Sequence, residues 1–340
     1  MSRGRKLIAV GLLMAGLAAS ANTAIAADPV EIGTRRLEVK TPDGEGLLAL
    51  FLSANWDKPQ PETRRALVIF HGNGRNARGY FNTGKKAREI AGEPTAIVIA
   101  PHFVTRGDLN QAGPEDADEI LRWTRDSWKG GLPARGPAPI SSYDAIDAIL
   151  ARLADRKMFP ALEKVVLAGH SAGGQIVHRY AIVGKGLARM AEAGIAVRTV
   201  VANPSSYAYF TPDRPYSTAG CRGFNTWKYG MNGRPPYLQA GTPEALEAAY
   251  LARDVYYLMG TEDDDPAGED IDTSCAAQAQ GPSRYKRGES FFDYLRGRHP
   301  DLKHRFVPIK GVGHSAGKMF RSHCGVATLF DRPGCEGVGQ

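Results

Sequence analysis

Residues 164–174 read KVVLAGHSAGG, and no other stretch limits the possible folds of this chain so strongly. Val165 to Ala168 form a short apolar run that leads straight into Gly169-His170-Ser171-Ala172-Gly173, and an apolar helical pattern begins at Gln175. Strand, sharp turn and helix in that order lift a serine hydroxyl clear of the end of a sheet. The backbone at Ser171 must then be strained, and Gly169 and Gly173 remove side chains that would collide across the turn. Ser171 is therefore the candidate nucleophile.

The rest of the chain supplies the sheet that such a turn requires. Runs at 35–40 and 47–53 flank the turn signature Pro42-Asp43-Gly44 and read as an antiparallel hairpin. Apolar runs follow at 65–70, 95–100, 165–168, 198–202, 255–259 and 305–309. The first two of these are continuous enough to be strands buried on both faces. Helical patterns lie between them, at about 83–91, from Ser142 (with Ile146, Ile149, Leu150 and Leu153 on one face), at about 175–183, after Thr242-Pro243-Glu244, at about 288–297 and from Ala316. This alternation predicts an α/β fold, a doubly wound and mostly parallel sheet of about eight strands. Residues 27–340 are expected to form one domain, with 104–140 as loop. Residues 207–237 hold eight aromatics, among them Tyr207 and Trp227. They make either a satellite core under a long loop or, as the reading adopted here, a lid insertion at about 204–241 whose aromatics line a pocket.

The N-terminus has a separate logic. Arg3, Arg5 and Lys6 precede a 13-residue apolar run at 7–19, too short for a stable bilayer span, and Ala24-Ile25-Ala26 follows. That pattern predicts a secretory signal peptide over residues 1–26, cleaved after Ala26. No Arg-Arg pair precedes the apolar run and no Cys follows it, so neither twin-arginine export nor lipid attachment is indicated. The protein is expected in the periplasm or outside the cell, with no integral membrane anchor in the mature chain. Without residues 1–26 the chain keeps 40 basic and 36 acidic residues, a balance that does not argue for nucleic acid. Four cysteines fit two disulfides in an exported protein, and the favoured pairing is Cys221–Cys275 with Cys324–Cys335. Zinc is disfavoured, because no Cys-x-x-Cys pair occurs.

A serine hydroxyl needs an adjacent base, and an imidazole base needs an acid that orients it. In an open parallel sheet these groups sit just past the strand ends. His71, His102, His170 and His314 meet that condition. His170 precedes the nucleophile and is expected to face away from the hydroxyl as a packing residue. His314 follows the last strand and lies after an acidic cluster, so it is the expected base. Asp263 is the expected acid, three residues past Gly260, with Asp265 as runner-up. A calcium loop through Asp263, Asp265 and Gly268 lacks its twelfth-position acid, where Ser274 stands, so no metal is expected. The oxyanion of a tetrahedral intermediate needs two donors, each typically worth about 3 kcal/mol. The Ala172 amide is one; the second comes from His71-Gly72-Asn73-Gly74, as the Asn73 amide or alternatively that of Gly74.

Ser171, Asp263 and His314 in that chain order, with an HG-type loop after an early strand, resemble the α/β-hydrolase superfamily over about residues 31–330. With the predicted export and disulfides, GHSAGG is similar to secreted bacterial esterases and lipases, and more loosely to extracellular polyester depolymerases. The stretch HGNGRNA departs from the HGGG of many esterases. The resemblance implies a cofactor-free serine hydrolase that cleaves a small-molecule or polymeric carboxylic ester through an acyl-enzyme. Trp123, Trp128, Tyr207 and Trp227 are the expected pocket-shaping aromatics. A peptidase or amidase, or an idle binding protein on the same fold, are the rival readings.

Overall fold

The computed structural model describes residues 1, 31–239 and 241–335; the predicted signal peptide lies outside them. Eight strands form one sheet: β1 (Arg35–Thr41), β2 (Gly44–Leu52), β3 (Arg65–Phe70), β4 (Ile97–Pro101), β5 (Lys164–His170), β6 (Ala196–Ala202), β7 (Asp254–Gly260) and β8 (Arg305–Ile309). Their spatial order is β1-β2-β4-β3-β5-β6-β7-β8. The β1–β2 hairpin closes through Pro42-Asp43, with Thr41 opposite Gly44, and β2 runs antiparallel to β4. Every other neighbouring pair is parallel. The mostly parallel doubly wound sheet expected from the sequence is thus the one observed.

Side chains alternate across the central strands and feed two cores. Val68, Phe70, Val165, Leu167, Val201 and Tyr257 face one layer, whereas Leu67, Ile69, Val166, Ala168, Val200 and Leu258 face the other. Because both faces are covered, the alternation carries no polar positions, which is why these strands read as unbroken apolar runs. The second layer holds α1 (Ala77–Ala91) and, at the C-terminus, α9 (Ala316–Arg321) and α10 (His323–Phe330). The first holds α3 (Ser142–Leu153), α4 (Ala172–Val183), α5 (Gly186–Glu192), α6 (Pro243–Leu251) and α8 (Arg284–Arg298). Two short helices sit in connections, α2 (Arg106–Ala112) and α7 (Cys275–Gln278).

α2 falls in the stretch expected to be loop. Seven residues among glycines and prolines show no periodicity, yet Thr105 and Asp108 form a reciprocal capping box that starts the helix. Cys221 pairs with Cys275 and Cys324 with Cys335, with Cα separations of 5.8 and 5.1 Å. Both pairings match the expected ones.

The segment 203–242 departs from the lid picture. Tyr207 and Tyr209 are fully buried, and Phe210 and Tyr237 nearly so. Tyr207 stacks on Phe291 of α8 at 4.7 Å, so it belongs to the domain core and not to a pocket wall. Trp123 and Trp128 are likewise interior: Trp128 stacks on Phe103, and Trp123 meets the same ring edge-on. Trp227 is half-buried and spends its indole N–H on the Gly130 carbonyl. Aromatic density in this sequence therefore marks the packing that seats a long connection.

Candidate active site

Ser171 sits between β5 and α4 with φ 60° and ψ −122°, a conformation costly for a side chain that carries a Cβ. A Cβ at residue 169 would overlap the Gly173 carbonyl, and one at 173 would overlap that of Phe70. Only glycine permits this approach of helix to strand. The turn is tied to the next strand by the Ser171 amide, which donates to the Ala202 carbonyl at 2.9 Å. It is this turn that brings residue 171 to the carboxyl end of the sheet.

Asp263 follows β7 after one tight turn, its amide donating to the Gly260 carbonyl at 3.0 Å. The carboxylate is 4 % exposed and lies 2.6 Å from His314 Nδ1 through Oδ2. Asp265, the runner-up, instead accepts from the Ala267 amide and is exposed. His314 lies beyond β8 in a loop that the Glu262 amide grips by donating to the Val312 carbonyl at 3.0 Å. Ser171 and His314 line the same pocket of about 220 Å³, together with Gly72, Asn73 and Gly74. No hydrogen bond joins the Ser171 hydroxyl to the ring, and catalytic bonds of this kind commonly tighten only around substrate. With Nδ1 committed to Asp263, Nε2 is the nitrogen left for a proton from the hydroxyl.

Two contacts of this pair were not anticipated. Arg284, at the start of α8, is fully buried and donates to Asp263 Oδ1 at 3.3 Å, to Ser205 Oγ at 3.1 Å and to the Glu269 carbonyl. It neutralises the buried carboxylate from the side opposite His314. The sequence signal was there, a Ser283 cap followed by Arg284 and Arg287 on one helical face, but a charged helix reads first as a solvated one. His170 is buried, but rather than facing away it packs against the His314 ring, with centroids 4.4 Å apart, and lines the same small pocket as Ser171. Burial, with His314 and Arg284 adding to it, holds its pKa far below the ordinary histidine value, so the ring is neutral.

The loop after β3 is braced from several sides. His71 accepts from the Phe103 amide through Nε2, so its proton is on Nδ1, which donates to the Gly72 carbonyl at 2.9 Å. Burial and the adjacent His102 lower its pKa to about 3, so this neutral form persists at any ordinary pH. Asn73 donates its side-chain amide to Asp270 and accepts from Lys129, at 3.0 and 3.2 Å. Arg75 makes a two-pronged bond to the buried Asp108, at 2.6 and 2.9 Å.

A larger pocket of about 430 Å³ opens on the other side of Ser171, against Ala172 and Gln175. Its wall is polar, with Lys129, Lys228, Tyr229 and Asp272 prominent. Of the four aromatics expected to shape a pocket, none lines it; Tyr229, from the same aromatic-rich segment, does. Among the described residues, His170, Asp263 and His314 form one group whose ligand-type atoms all lie within 4.8 Å of one another.

No family model matches the sequence, and no curated protein matches it. Solved structures do. LpqC, a poly(3-hydroxybutyrate) depolymerase from Bordetella parapertussis, superposes with a TM-score of 0.60 at 22% identity, over 88% of this chain and 91% of that one. Poly(aspartic acid) hydrolase-1 from Sphingomonas sp. KT-1 superposes with a TM-score of 0.56, also at 22% identity, over 84% and 95%. The mostly parallel eight-stranded sheet, the strained serine between strand and helix, and these superpositions together identify the α/β-hydrolase fold.

Proposed function

We propose that this protein is an exported serine hydrolase that cleaves carboxylic esters through an acyl-enzyme, with no cofactor. The observation that carries the reading is the 2.6 Å contact between buried Asp263 and His314, the latter lining the pocket that also holds the strained Ser171. Ser171 Oγ attacks the ester carbonyl carbon while His314 Nε2 takes its proton. Asp263 keeps the ring in the required tautomer and balances the cation that forms. The oxyanion is held by amides at residues 172 and 73; the Ala172 N–H lies in the first turn of α4, where helix amides lack intrahelical partners. His314 returns the proton to the departing alcohol, and water then repeats the sequence on the acyl-enzyme. Neutral His170 contributes a contact to the base without adding a second positive charge.

Export is supported by the two disulfides and by the signal-like residues 1–26. Residues 204–241 act in this reading as an insertion that presents Lys228 and Tyr229 to substrate. The test is a panel of 4-nitrophenyl esters and 4-nitroanilides, with fluorophosphonate labelling, on wild type and Ser171→Ala. Labelling and ester turnover that both vanish in the variant are expected. Turnover that survives Ser171→Ala refutes the mechanism, and anilide cleavage outpacing ester cleavage redirects it to an amidase.

A further inference from the structure

The pocket beside Ala172 and Gln175 has an uneven distribution of charge with depth. Behind its wall lies Arg179, fully buried on the face of α4. Its guanidinium donates to the carbonyls of Lys129 and Lys228 at 3.0 and 3.1 Å, to Gln175 Oε1 at 3.2 Å and to Ser206 Oγ at 2.9 Å. Arg287 is equally buried and donates to the carbonyls of Gly281 and Ser205, at 2.8 and 2.6 Å. All of these acceptors are neutral, and among the described residues neither guanidinium has a carboxylate within ion-pair reach. The Asp272 carboxylate acts on both guanidiniums through space, but one carboxylate shared among Arg179, Arg287 and Lys228 leaves the balance positive. Burial, then the neighbouring Arg179, lowers the Lys228 pKa, a sign of that same potential.

The acids of this pocket lie further out or are already engaged. The Asp126 side chain is 73% exposed and pairs with Lys129. Asp270 is 39% exposed and is shared between Arg125 and Asn73. Asp272 accepts from Tyr229 Oη at 2.7 Å and from the Ser274 amide at 3.0 Å, and it lies 3.4 Å from Lys228 Nζ. The Lys129 side chain is only 7% exposed. Asp272, 16% exposed, is the one acid at depth and is spent on Tyr229, Ser274 and Lys228, whereas Lys129, Lys228, Arg179 and Arg287 supply four cations there.

Direction follows from the proton. The leaving oxygen takes its proton from His314, so the leaving group belongs in the smaller pocket that His314 lines. The acyl group is left with the larger pocket, which His314 does not line. We infer that this larger pocket binds a carboxylate on the acyl portion of the substrate, with Lys228 and Lys129 as its direct partners and Arg179 and Arg287 as the field behind them. This rests on the serine-hydrolase reading and adds its substrate class: half-esters of dicarboxylic acids, or polymers bearing such units, in place of plain fatty esters. An ammonium meeting a carboxylate out of bulk water makes a strong charge-assisted bond, whereas a hydrocarbon chain would strip water from Lys228 with no return.

The experiment compares 4-nitrophenyl monoesters of glutaric, adipic and suberic acids with the 4-nitrophenyl esters of pentanoic, hexanoic and octanoic acids. At the best chain length, kcat/KM for the charged ester is expected to exceed that for the neutral one at least tenfold. The preference should shrink as ionic strength rises. In Lys228→Met it should fall at least tenfold, chiefly through KM, and Lys228→Arg should restore most of it. Circular dichroism and thermal melting confirm that each variant is folded. Wild type that hydrolyses the neutral esters faster at every length overturns this inference and leaves the serine-hydrolase reading intact. A charged-ester preference that persists undiminished in Lys228→Met and Lys129→Met also overturns it. Failure of both ester series together with failure of fluorophosphonate labelling removes the serine-hydrolase reading itself.

Discussion

Asp263→Asn separates the two tasks of one carboxylate. The side chain is 4 % exposed and lies between His314, at 2.6 Å, and Arg284, at 3.3 Å. An asparagine fits the same space but has one acceptor oxygen and one donor nitrogen. The guanidinium has only donors to offer, so the amide oxygen must turn to Arg284 and the NH₂ to His314. Nδ1 then becomes an acceptor, the ring proton moves to Nε2, and the nitrogen facing Ser171 can no longer take a proton. A wrong-tautomer change of this kind costs about 10⁴ in kcat, or roughly 5 kcal/mol. The same substitution leaves Arg284 buried without a counter-charge, a loss of about 3 kcal/mol at the lower end for broken buried pairs, since a hydrogen bond remains. The assay pairs ester turnover with thermal unfolding on Asp263→Asn, Arg284→Met and the double variant. The kcat loss should appear in Asp263→Asn and be partly relieved in the double variant, where no guanidinium holds the amide oxygen away from His314. The stability losses should be strongly non-additive, the double variant being more stable than the sum of the singles implies. Asp263→Asn that keeps more than a tenth of wild-type kcat would refute the orienting role, and additive losses would refute the coupled pair.

Three further outcomes are expected. Ser171→Gly should abolish turnover yet raise the melting temperature, since glycine relieves roughly 1–3 kcal/mol of backbone strain at φ 60°; a lowered melting temperature would contradict the strain. Asp331 binds Arg65, Lys164 and Arg198, from three adjacent strands, and although burial opposes it these partners hold its pKa at about 2 against an ordinary 3.8. A depressed folded-state pKa stabilises above the unfolded value and is lost as pH falls towards 2, so Asp331→Asn should cost about 1–2 kcal/mol at pH 7, after discounting for its partial exposure, and almost nothing at pH 2 in urea unfolding series. Removing Cys221–Cys275 by double serine substitution should cost up to about 4 kcal/mol under the chain-entropy model, because the bridge spans 54 residues. The same variant should raise KM more than it lowers fluorophosphonate labelling, because Cys275 follows directly on the pocket-lining Thr273 and Ser274.

What could be read from the sequence divides by the range of the interactions involved. Strand positions were legible because β3 to β7 are buried on both faces and run almost wholly apolar, with Arg198 and Thr199 of β6 among the buried exceptions. The strained turn was legible because glycines at 169 and 173 have no other economical explanation beside a serine. Asp263 and His314 came from a topological rule, that functional loops leave the carboxyl ends of strands, and the rule distinguished them from Asp265 only by position. The pocket was not legible. Its wall joins Lys129, Gln175, Lys228 and Asp272 from four separate stretches, and nothing local to any of them announces that meeting. The expectation built on Trp123, Trp128 and Tyr207 failed for the same reason: large aromatics fill whatever interior is nearest, and here that interior is the domain core.

Arg179 grips residues 129 and 228 by their main-chain carbonyls alone, and it does so from the helix that begins just after Ser171. Those two positions are thereby mounted on α4 without any dependence on what side chains they carry. If the proposed acyl site holds, exchanging the residues at 129 and 228 should retune which acyl groups are accepted while the anchor points stay where they are, an arrangement suited to divergence by single substitutions and to directed evolution at two codons.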